Sequence, residues 1–106
     1  MSKDKLPFRL HPEADREAIA ATKWITEDDP YQGSLFKDAL TSAIRKAQEQ
    51  WTIYRVFDGE YRKIRVGKFT YAIIFRVQNE EIQILAVMHL HRKPGYWKER
   101  SETWSE

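Results

Sequence analysis

The 106-residue sequence contains no cysteine. A disulfide framework and a thiolate metal site are therefore excluded. No apolar run approaches the ~20 residues that a membrane-spanning helix needs. The N-terminal segment, MSKDKLPFRLHPEAD, interrupts its apolar positions with charge every few residues, which is not the pattern of a signal peptide. We therefore expect a cytoplasmic protein with no membrane partner.

The length predicts a single domain over residues 1–106. Apolar residues make up 42% of the chain, which is enough for one modest core. Charged residues make up 32%, but the aromatic content of 13% argues against disorder. The recognisable elements run from residue 6 to residue 100, and we expect residues 101–106 to be a frayed tail.

Charge is distributed unevenly along the chain. Residues 1–61 contain nine Lys and Arg against eleven Asp and Glu, whereas residues 62–100 contain nine against only three. This polarity has two interpretations: the second half of the chain faces an anionic partner, or its basic side chains only keep one face of a sheet soluble.

The first half of the chain predicts one strand and two helices. Leu6–Leu10 is short and alternates apolar with other residues, which favours a strand. Pro12 suits the first position of a helix, and that helix should end within residues 27–30. A second apolar stripe at helical spacing runs over Ser34–Gln50. The short link between the stripes predicts an antiparallel helical hairpin.

In the second half the apolar period changes to two residues, which is typical of strands. Three strands are predicted, at Arg62–Val66, Tyr71–Val77 and Glu81–His89, and short turns join them. In the first of these, Ile64 and Val66 should face the core. The segment after the last strand contains Pro-Gly and should leave regular structure.

These elements predict an α+β fold in the order β-α-α-β-β-β, with the three final strands forming an antiparallel meander. The helical hairpin should cover one face of the sheet, with Trp24 and Trp51 in the core at the helical layer. The opposite face has no evident second layer. We expect Lys63 and Arg65 to lie exposed on it, near the C-terminal segment.

The second half also carries an ordered series of short motifs. A basic strand is followed by a glycine-containing turn, a Phe-x-Tyr entry to a buried strand, and an ending of the type Ile-Leu-Ala-Val-x-His-x-x-Arg-x-Pro-x-x-Trp. The residues of this series are Phe69, Tyr71, Ile84, Leu85, Ala86, Val87, His89, Arg92, Pro94, Trp97 and Arg100. The series resembles the C-terminal half of toxins of the RelE/ParE superfamily. The N-terminal strand, the His11-Pro12 helix start and the hairpin fit as well, so the resemblance spans about residues 6–100.

The ending is more ParE-like than RelE-like, which implies a toxin of a type II toxin–antitoxin module that arrests growth by inhibiting DNA gyrase. A second possibility is a RelE-like, ribosome-dependent endoribonuclease that cleaves mRNA without metal. Ala72 follows Tyr71 at a position where the RelE subgroup tends to carry arginine, and this departure argues against the nuclease. A third possibility is a non-toxic binding module of the same fold. Only the second would be an enzyme.

The resemblance also implies a cognate antitoxin whose C-terminal segment wraps the toxin. An acidic, amphipathic segment would complement the basic half of the chain and cover the helical groove. The other expected partner is the target, which is either gyrase or the ribosome with mRNA.

RNA cleavage by a 2′-hydroxyl needs a proton acceptor, cations that stabilise the phosphorane, and an acid for the leaving oxygen. Under that reading the catalytic candidates are Lys63, Arg65, His89, Arg92 and Tyr96. Lys63 and Arg65 share a strand face and could hold phosphate, and the imidazole of His89 could transfer protons. Each also has a structural interpretation, since alternating basic residues are often only solvated and an isolated histidine often only packs.

If the protein acts by binding, the candidate contacts to a target or a nucleic acid are Lys63, Arg65, Lys68, His91, Arg92, Trp97 and Arg100. The indole of Trp97 suits stacking on bases, but it would equally serve to pin the tail onto the sheet. His89 and His91 point the same way if the strand continues. No third ligand is evident, so we expect neither a metal site nor another cofactor.

Overall fold

The computed structural model describes residues 5–104. Its helices are α1 (Pro12–Asp28) and α2 (Pro30–Gln50), and two 3-10 helices cover Trp51–Ile53 and Lys98–Thr103. Its strands are β1 (Phe8–Leu10), β2 (Val56–Asp58), β3 (Tyr61–Arg65), β4 (Tyr71–Gln78) and β5 (Glu81–His89), in the sheet order β1-β5-β4-β3-β2. The predicted α+β class and element order are confirmed, and the short β2 joins the meander as an additional strand. Within residues 5–104, no helix combines the length and apolar character that crossing a bilayer requires.

Asp29 makes the helical hairpin tight because it serves both helices. Its backbone N–H donates to the Ile25 carbonyl at 2.9 Å and so ends α1. Its side chain accepts the Tyr31 N–H at 3.0 Å, which caps the N-terminus of α2. Pro30 then occupies the first position of the helix, where its missing N–H costs nothing. The second helix therefore begins earlier than the predicted start at Ser34.

The main core lies between the helical hairpin and one face of the sheet. Alanines and Phe36 of the helices pack there against isoleucines and valines of the strands. Ile64 and Val66 are both buried in this core, as their alternation with basic residues predicted. The helices approach closely at Gly33, where a Cβ atom would lie 2.0 Å from the Thr26 Oγ1. We call this side of the sheet the helical face.

One expectation for the helical layer is wrong. Trp24 was placed in the core, but its residue is 72% exposed. The buried stripe of α1 is formed by alanines at helical spacing, Ala14 and Ala21, and Trp24 lies beside that stripe rather than on it. Trp51, in contrast, is partly buried against the core, as expected.

The expectation that the other face of the sheet lacks a second layer is also wrong. Residues 96–104, which we call the C-terminal strap, cross this face, and the side chain of Trp97 in the strap is fully buried against the sheet. Its ring centroid lies 4.5 Å from that of Tyr61. The strands are apolar on both sides here, since Ile74 and Met88 point away from the helices and need a cover of their own. We call this side the strap face.

The tail was expected to fray from residue 101, but the strap stays packed up to residue 104. The Thr103 Oγ1 lies 3.1 Å from the His11 Nε2. The centroid of the Trp104 ring lies 5.9 Å from that of the His11 ring and 5.0 Å from the Arg9 guanidinium. The strap is therefore anchored at the start of α1. Residues 105 and 106 lie outside the described residues.

Candidate functional site

Basic side chains gather at the end of the sheet where two turns meet. The Leu90 N–H donates to the Thr70 carbonyl at 2.8 Å, which joins the turn between β3 and β4 to the turn that follows β5. Four basic residues on these turns are exposed, and we call them the cationic end: Lys68, His91, Arg92 and Lys93. No acidic residue occurs within residues 61–79 or 82–98 to neutralise them from the same segments. This end of the molecule therefore presents positive charge to a partner.

A groove of about 320 Å³ opens beside the cationic end, between α1 and the last residues of β5. Trp24 and Ala20 of α1 form one wall. The other walls are formed by Tyr71, His89, Arg92, Tyr96 and neighbouring residues. The groove combines aromatic surface with cationic groups at its rim, which is the chemistry of many protein-recognition sites.

The carboxylate of Glu17 organises the floor of this groove. Its Oε1 accepts the Val87 N–H and an N–H of Arg100, both at 2.9 Å, and its Oε2 accepts a second N–H of Arg100 at 2.9 Å. Arg92 completes the cluster, with its Nη1 3.5 Å from Oε2. The Glu17 and Arg100 side chains are only 17% and 14% exposed, so this bidentate pair is largely shielded from solvent.

Tyr96 lies against the two arginines of this cluster. The Arg92 guanidinium stands 3.4 Å from the centroid of its ring, and that of Arg100 stands 5.0 Å away. Burial, reinforced by the negative charge of Glu17, raises the pKa of the Tyr96 phenol to about 12. The phenol therefore stays protonated at neutral pH and is a poor proton acceptor.

His89 is engaged on both sides of its ring. Its Nδ1 accepts the backbone N–H of His91 at 3.1 Å, so a neutral ring carries its proton on Nε2, which lies 3.2 Å from the Thr70 Oγ1. The ring also packs edge-on against Tyr71, with 5.0 Å between the centroids. These contacts hold His89 as a packing residue at the rim of the groove.

Lys63 and Arg65 lie on the other side of the sheet. Both belong to the strap face, and the Lys63 Nζ stands 5.1 Å from the centroid of the Phe57 ring. The Arg65 guanidinium donates to the carbonyls of Phe69, at 2.9 Å, and Lys68, at 3.2 Å. Both side chains are exposed, as predicted, but neither faces the groove that His89 and Arg92 line.

Comparisons with known proteins place the chain in a family. A search of curated proteins found no matching sequence. The family model described as "ParE toxin of type II toxin-antitoxin system, parDE" matches residues 8–94, which is most of the chain. The chain belongs to the ParE toxin family. The fold agrees: a solved structure titled "Chromosomal ParDE TA system from P. aeruginosa" superposes with a TM-score of 0.70 at 14% identity, over 82% of this chain and 98% of that chain.

As a ParE-family toxin, the chain is the toxin component of a type II toxin–antitoxin pair, and its partner is an antitoxin. The five residues considered for RNA cleavage are not assembled into one site in this toxin. His89, Arg92 and Tyr96 line the groove on the helical face, whereas Lys63 and Arg65 lie on the strap face. Strand alternation predicted that Lys63 and Arg65 are exposed. It could not predict that they lie on the opposite face from His89, Arg92 and Tyr96, because that depends on the path of the chain after β5.

Two residues considered for target binding are shielded from solvent in this ParE toxin, Trp97 completely and Arg100 in large part. The Trp97 side chain is fully buried between the strap and the sheet, so its structural interpretation applies: it attaches the tail to the sheet. Arg100 is held by Glu17 and also donates to the Leu85 carbonyl at 2.9 Å. Neither side chain is free to reach a partner in this conformation. Among the exposed candidates, Lys68, His91 and Arg92 lie together at the cationic end.

Sequence reasoning missed two residues of the site. From the sequence, Glu17 was only an acidic residue near a helix N-terminus, and nothing local marks it as the partner of Arg100, 83 positions away. Trp24 could have been found from the sequence, because it lies outside the alanine stripe of α1. A large aromatic residue outside the apolar stripe of a helix is a candidate for a binding surface.

Proposed function

We propose that this ParE-family toxin arrests growth by binding and inhibiting DNA gyrase, without catalysing a reaction itself. The observation that carries the proposal is the groove beside the cationic end, whose wall is the exposed Trp24. Tryptophan and arginine are the residue types that most often dominate the energetics of protein–protein interfaces. The ParE family, rather than the groove, supplies gyrase as the target.

The separation of the nuclease candidates supports a binding toxin over an endoribonuclease. An RNA-cleaving site needs its base, its cations and its acid within reach of one phosphate. Here Tyr96 and Arg92 are committed to the Glu17 cluster, and Lys63 and Arg65 lie across the sheet. The Tyr96 phenol, with its pKa raised to about 12, is also unsuited to accept a proton.

The antitoxin is proposed to carry an acidic segment that covers the cationic end. The basic side chains there are exposed, and within residues 5–104 only Arg92 has an acidic partner, Glu17, so an acidic chain would neutralise the charge of the others. A segment lying across the groove would also bury Trp24. Toxin inhibition would follow because the same surface cannot bind the antitoxin and the target at once.

Two assays on the same purified toxin test the proposal. In a gyrase supercoiling reaction we expect the toxin to block supercoiling of relaxed plasmid DNA. In a coupled translation reaction, primer extension should show intact mRNA. Cleavage of mRNA at codon positions with no effect on gyrase would reject the proposal and establish the endoribonuclease. Induced expression without any slowing of growth would instead favour the non-toxic module.

Substitutions in the groove test whether it is the surface that contacts gyrase. Trp24→Ala should abolish gyrase inhibition while the fold is kept, since the indole is mostly solvated. Tyr31→Ala is the matched control, because Tyr31 is another exposed aromatic residue of the hairpin that does not line the groove. Equal gyrase inhibition by both variants would show that the groove is not the contact surface.

A further inference from the structure

The outer edge of β5 is covered by a neighbouring strand along only part of its length. β1 pairs with it in parallel from Ile82 to Ile84, and the chain then turns away as the His11 N–H donates to the Ile84 carbonyl at 2.9 Å. Beyond this point, roughly 14 Å of strand edge continues to the end of β5, and no strand within residues 5–104 pairs with it. An edge of this kind is a template for pairing with another chain.

Two side chains stand where the missing strand would be. The Glu17 carboxylate accepts the N–H of Val87, and the Arg100 guanidinium donates to the carbonyl of Leu85, both at 2.9 Å. A carboxylate and a guanidinium thus supply the acceptor and the donor that a neighbouring backbone would offer. The two groups also bind each other through two hydrogen bonds of 2.9 Å.

The pair joins the two layers that flank this edge. Glu17 comes from α1, on the helical face, and Arg100 comes from the strap, on the other face, so their contact closes over the edge of the sheet. A β-bulge at Leu85 leaves its carbonyl outside the regular pairing with β4, and this carbonyl accepts a hydrogen bond from the Arg100 guanidinium. The other edge of the sheet needs no such device, since β2 has only three residues and an irregular register.

We propose that Glu17 and Arg100 form an edge plug, which prevents β5 from adding a strand of a second copy of this chain. Strand addition uses backbone groups, so any extended chain suits the edge once it is open. Every copy carries the same edge, and two such edges can satisfy each other antiparallel about a twofold axis. Opening the plug would also loosen the strap, adding the apolar surface of Trp97 to the contact.

The test compares the oligomeric state of Glu17→Ala with that of the unmodified toxin over a range of concentrations, by size exclusion with light scattering. We expect the variant to associate and the unmodified toxin to remain a monomer. Glu13→Ala is the matched control: Glu13 lies one turn earlier on α1 and forms an exposed ion pair with Arg16. This control should behave as the unmodified toxin does.

Amide hydrogen exchange locates the contact. At low concentration the Val87 amide of Glu17→Ala should exchange roughly tenfold faster or more, because it loses a charge-assisted hydrogen bond. At high concentration, residues 85–89 should regain protection. A folded Glu17→Ala variant that stays monomeric would overturn the proposal, as would association that protects some other segment, or association of the unmodified toxin through this edge.

Arg100→Gln tests the plug from the strap. It leaves Glu17 on the Val87 amide but removes the donor from the Leu85 carbonyl, so we expect association in the same direction and to a smaller extent. If Glu17→Ala does not fold, as judged by circular dichroism, Arg100→Gln decides the question. A folded Arg100→Gln variant that is monomeric at every concentration would then reject the edge plug.

Discussion

His11 and Thr103 are joined by a side-chain hydrogen bond of 3.1 Å, although they lie 92 positions apart in the sequence. The His11 Nδ1 accepts the Glu13 N–H at 3.1 Å and so caps α1. A neutral ring with its Nδ1 used as an acceptor carries its proton on Nε2, which then donates to the Thr103 hydroxyl. One neutral imidazole therefore holds both the start of the first helix and the end of the strap.

Stability is expected to fall as the pH is lowered through this titration. Burial, together with the positive charge of Arg100, lowers the pKa of His11 below its ordinary value of 6.5. The unfolded chain then binds more protons, so the contribution is complete above about pH 6.5 and is lost as the pH falls toward the pKa of the folded state. Thermal unfolding of the unmodified protein and His11→Asn, measured across this range, should show a smaller pH dependence in the variant. Parallel curves would contradict the assignment to His11.

The two helices approach closely at Gly33, so replacing this glycine by alanine should lower stability, although the same substitution normally stabilises a helix. Alanine in a helix is about 1 kcal/mol better than glycine. At this position, however, the added Cβ would lie 2.0 Å from the Thr26 Oγ1 and 2.9 Å from its Cα, so the backbones must separate. Overpacking costs about 1–3 kcal/mol and outweighs the gain.

Urea unfolding of Gly33→Ala should therefore show no gain in stability and a net loss of up to about 2 kcal/mol. Ser34→Ala is the control, since it places alanine at the next position of α2 with the side chain exposed. The control should stay within about 0.5 kcal/mol of the unmodified protein. A stabilised Gly33→Ala variant would mean that the hairpin is looser than described.

Most of the secondary structure could be predicted from local sequence patterns. β5 was predicted from Glu81 to His89, the bounds that the structure has, because alternation and flanking turns define a strand within a few residues of sequence. Helix starts were less accurate, since Asp29 and Pro30 both end one helix and begin the next. Local reasoning handles such elements well because their causes lie within one or two turns of chain.

The site was harder to predict because its contacts are long-range. Glu17 and Arg100 are separated by 83 positions, and only the path of the strap brings them together. The same path covers a face of the sheet that was expected to be bare and buries Trp97. Exposure of Lys63 and Arg65 was predictable from alternation, whereas their separation from Arg92 depends on where the chain turns after β5.

Removing the basic pair on the strap face tests the endoribonuclease directly. Lys63→Ala/Arg65→Ala should leave growth arrest unchanged, because neither residue shares a surface with the groove on the helical face. Both side chains are exposed, so each substitution should change stability by less than about 0.5 kcal/mol. Growth curves and primer extension on cellular mRNA after induction provide the measurement. Loss of both mRNA cleavage and growth arrest in the double variant would support the nuclease instead.

Removing the Tyr96 hydroxyl probes the same question from the groove. This hydroxyl is shielded from solvent and interacts with the Glu17 carboxylate, so Tyr96→Phe should lower stability by no more than about 1 kcal/mol. Ring contacts with Arg92 and Arg100 are retained. Gyrase inhibition should persist at the unmodified level, whereas a nuclease that used the phenol would lose its activity. Urea unfolding and the supercoiling assay together distinguish loss of chemistry from loss of fold.

Antitoxin binding should weaken with added salt if an acidic segment covers the cationic end. Exposed charges further apart than the Debye length, about 10 Å at 0.1 M salt, are largely screened, so this contribution is lost first. Replacing Lys68 and Lys93 together by serine should lower the affinity at low salt and flatten its dependence on ionic strength. The matched control is Arg45→Ser/Lys46→Ser, which removes two exposed charges from α2, away from the two turns. Calorimetric titrations of each variant with the antitoxin at several salt concentrations provide the slopes. Equal slopes for both double variants would show that the antitoxin does not use the cationic end.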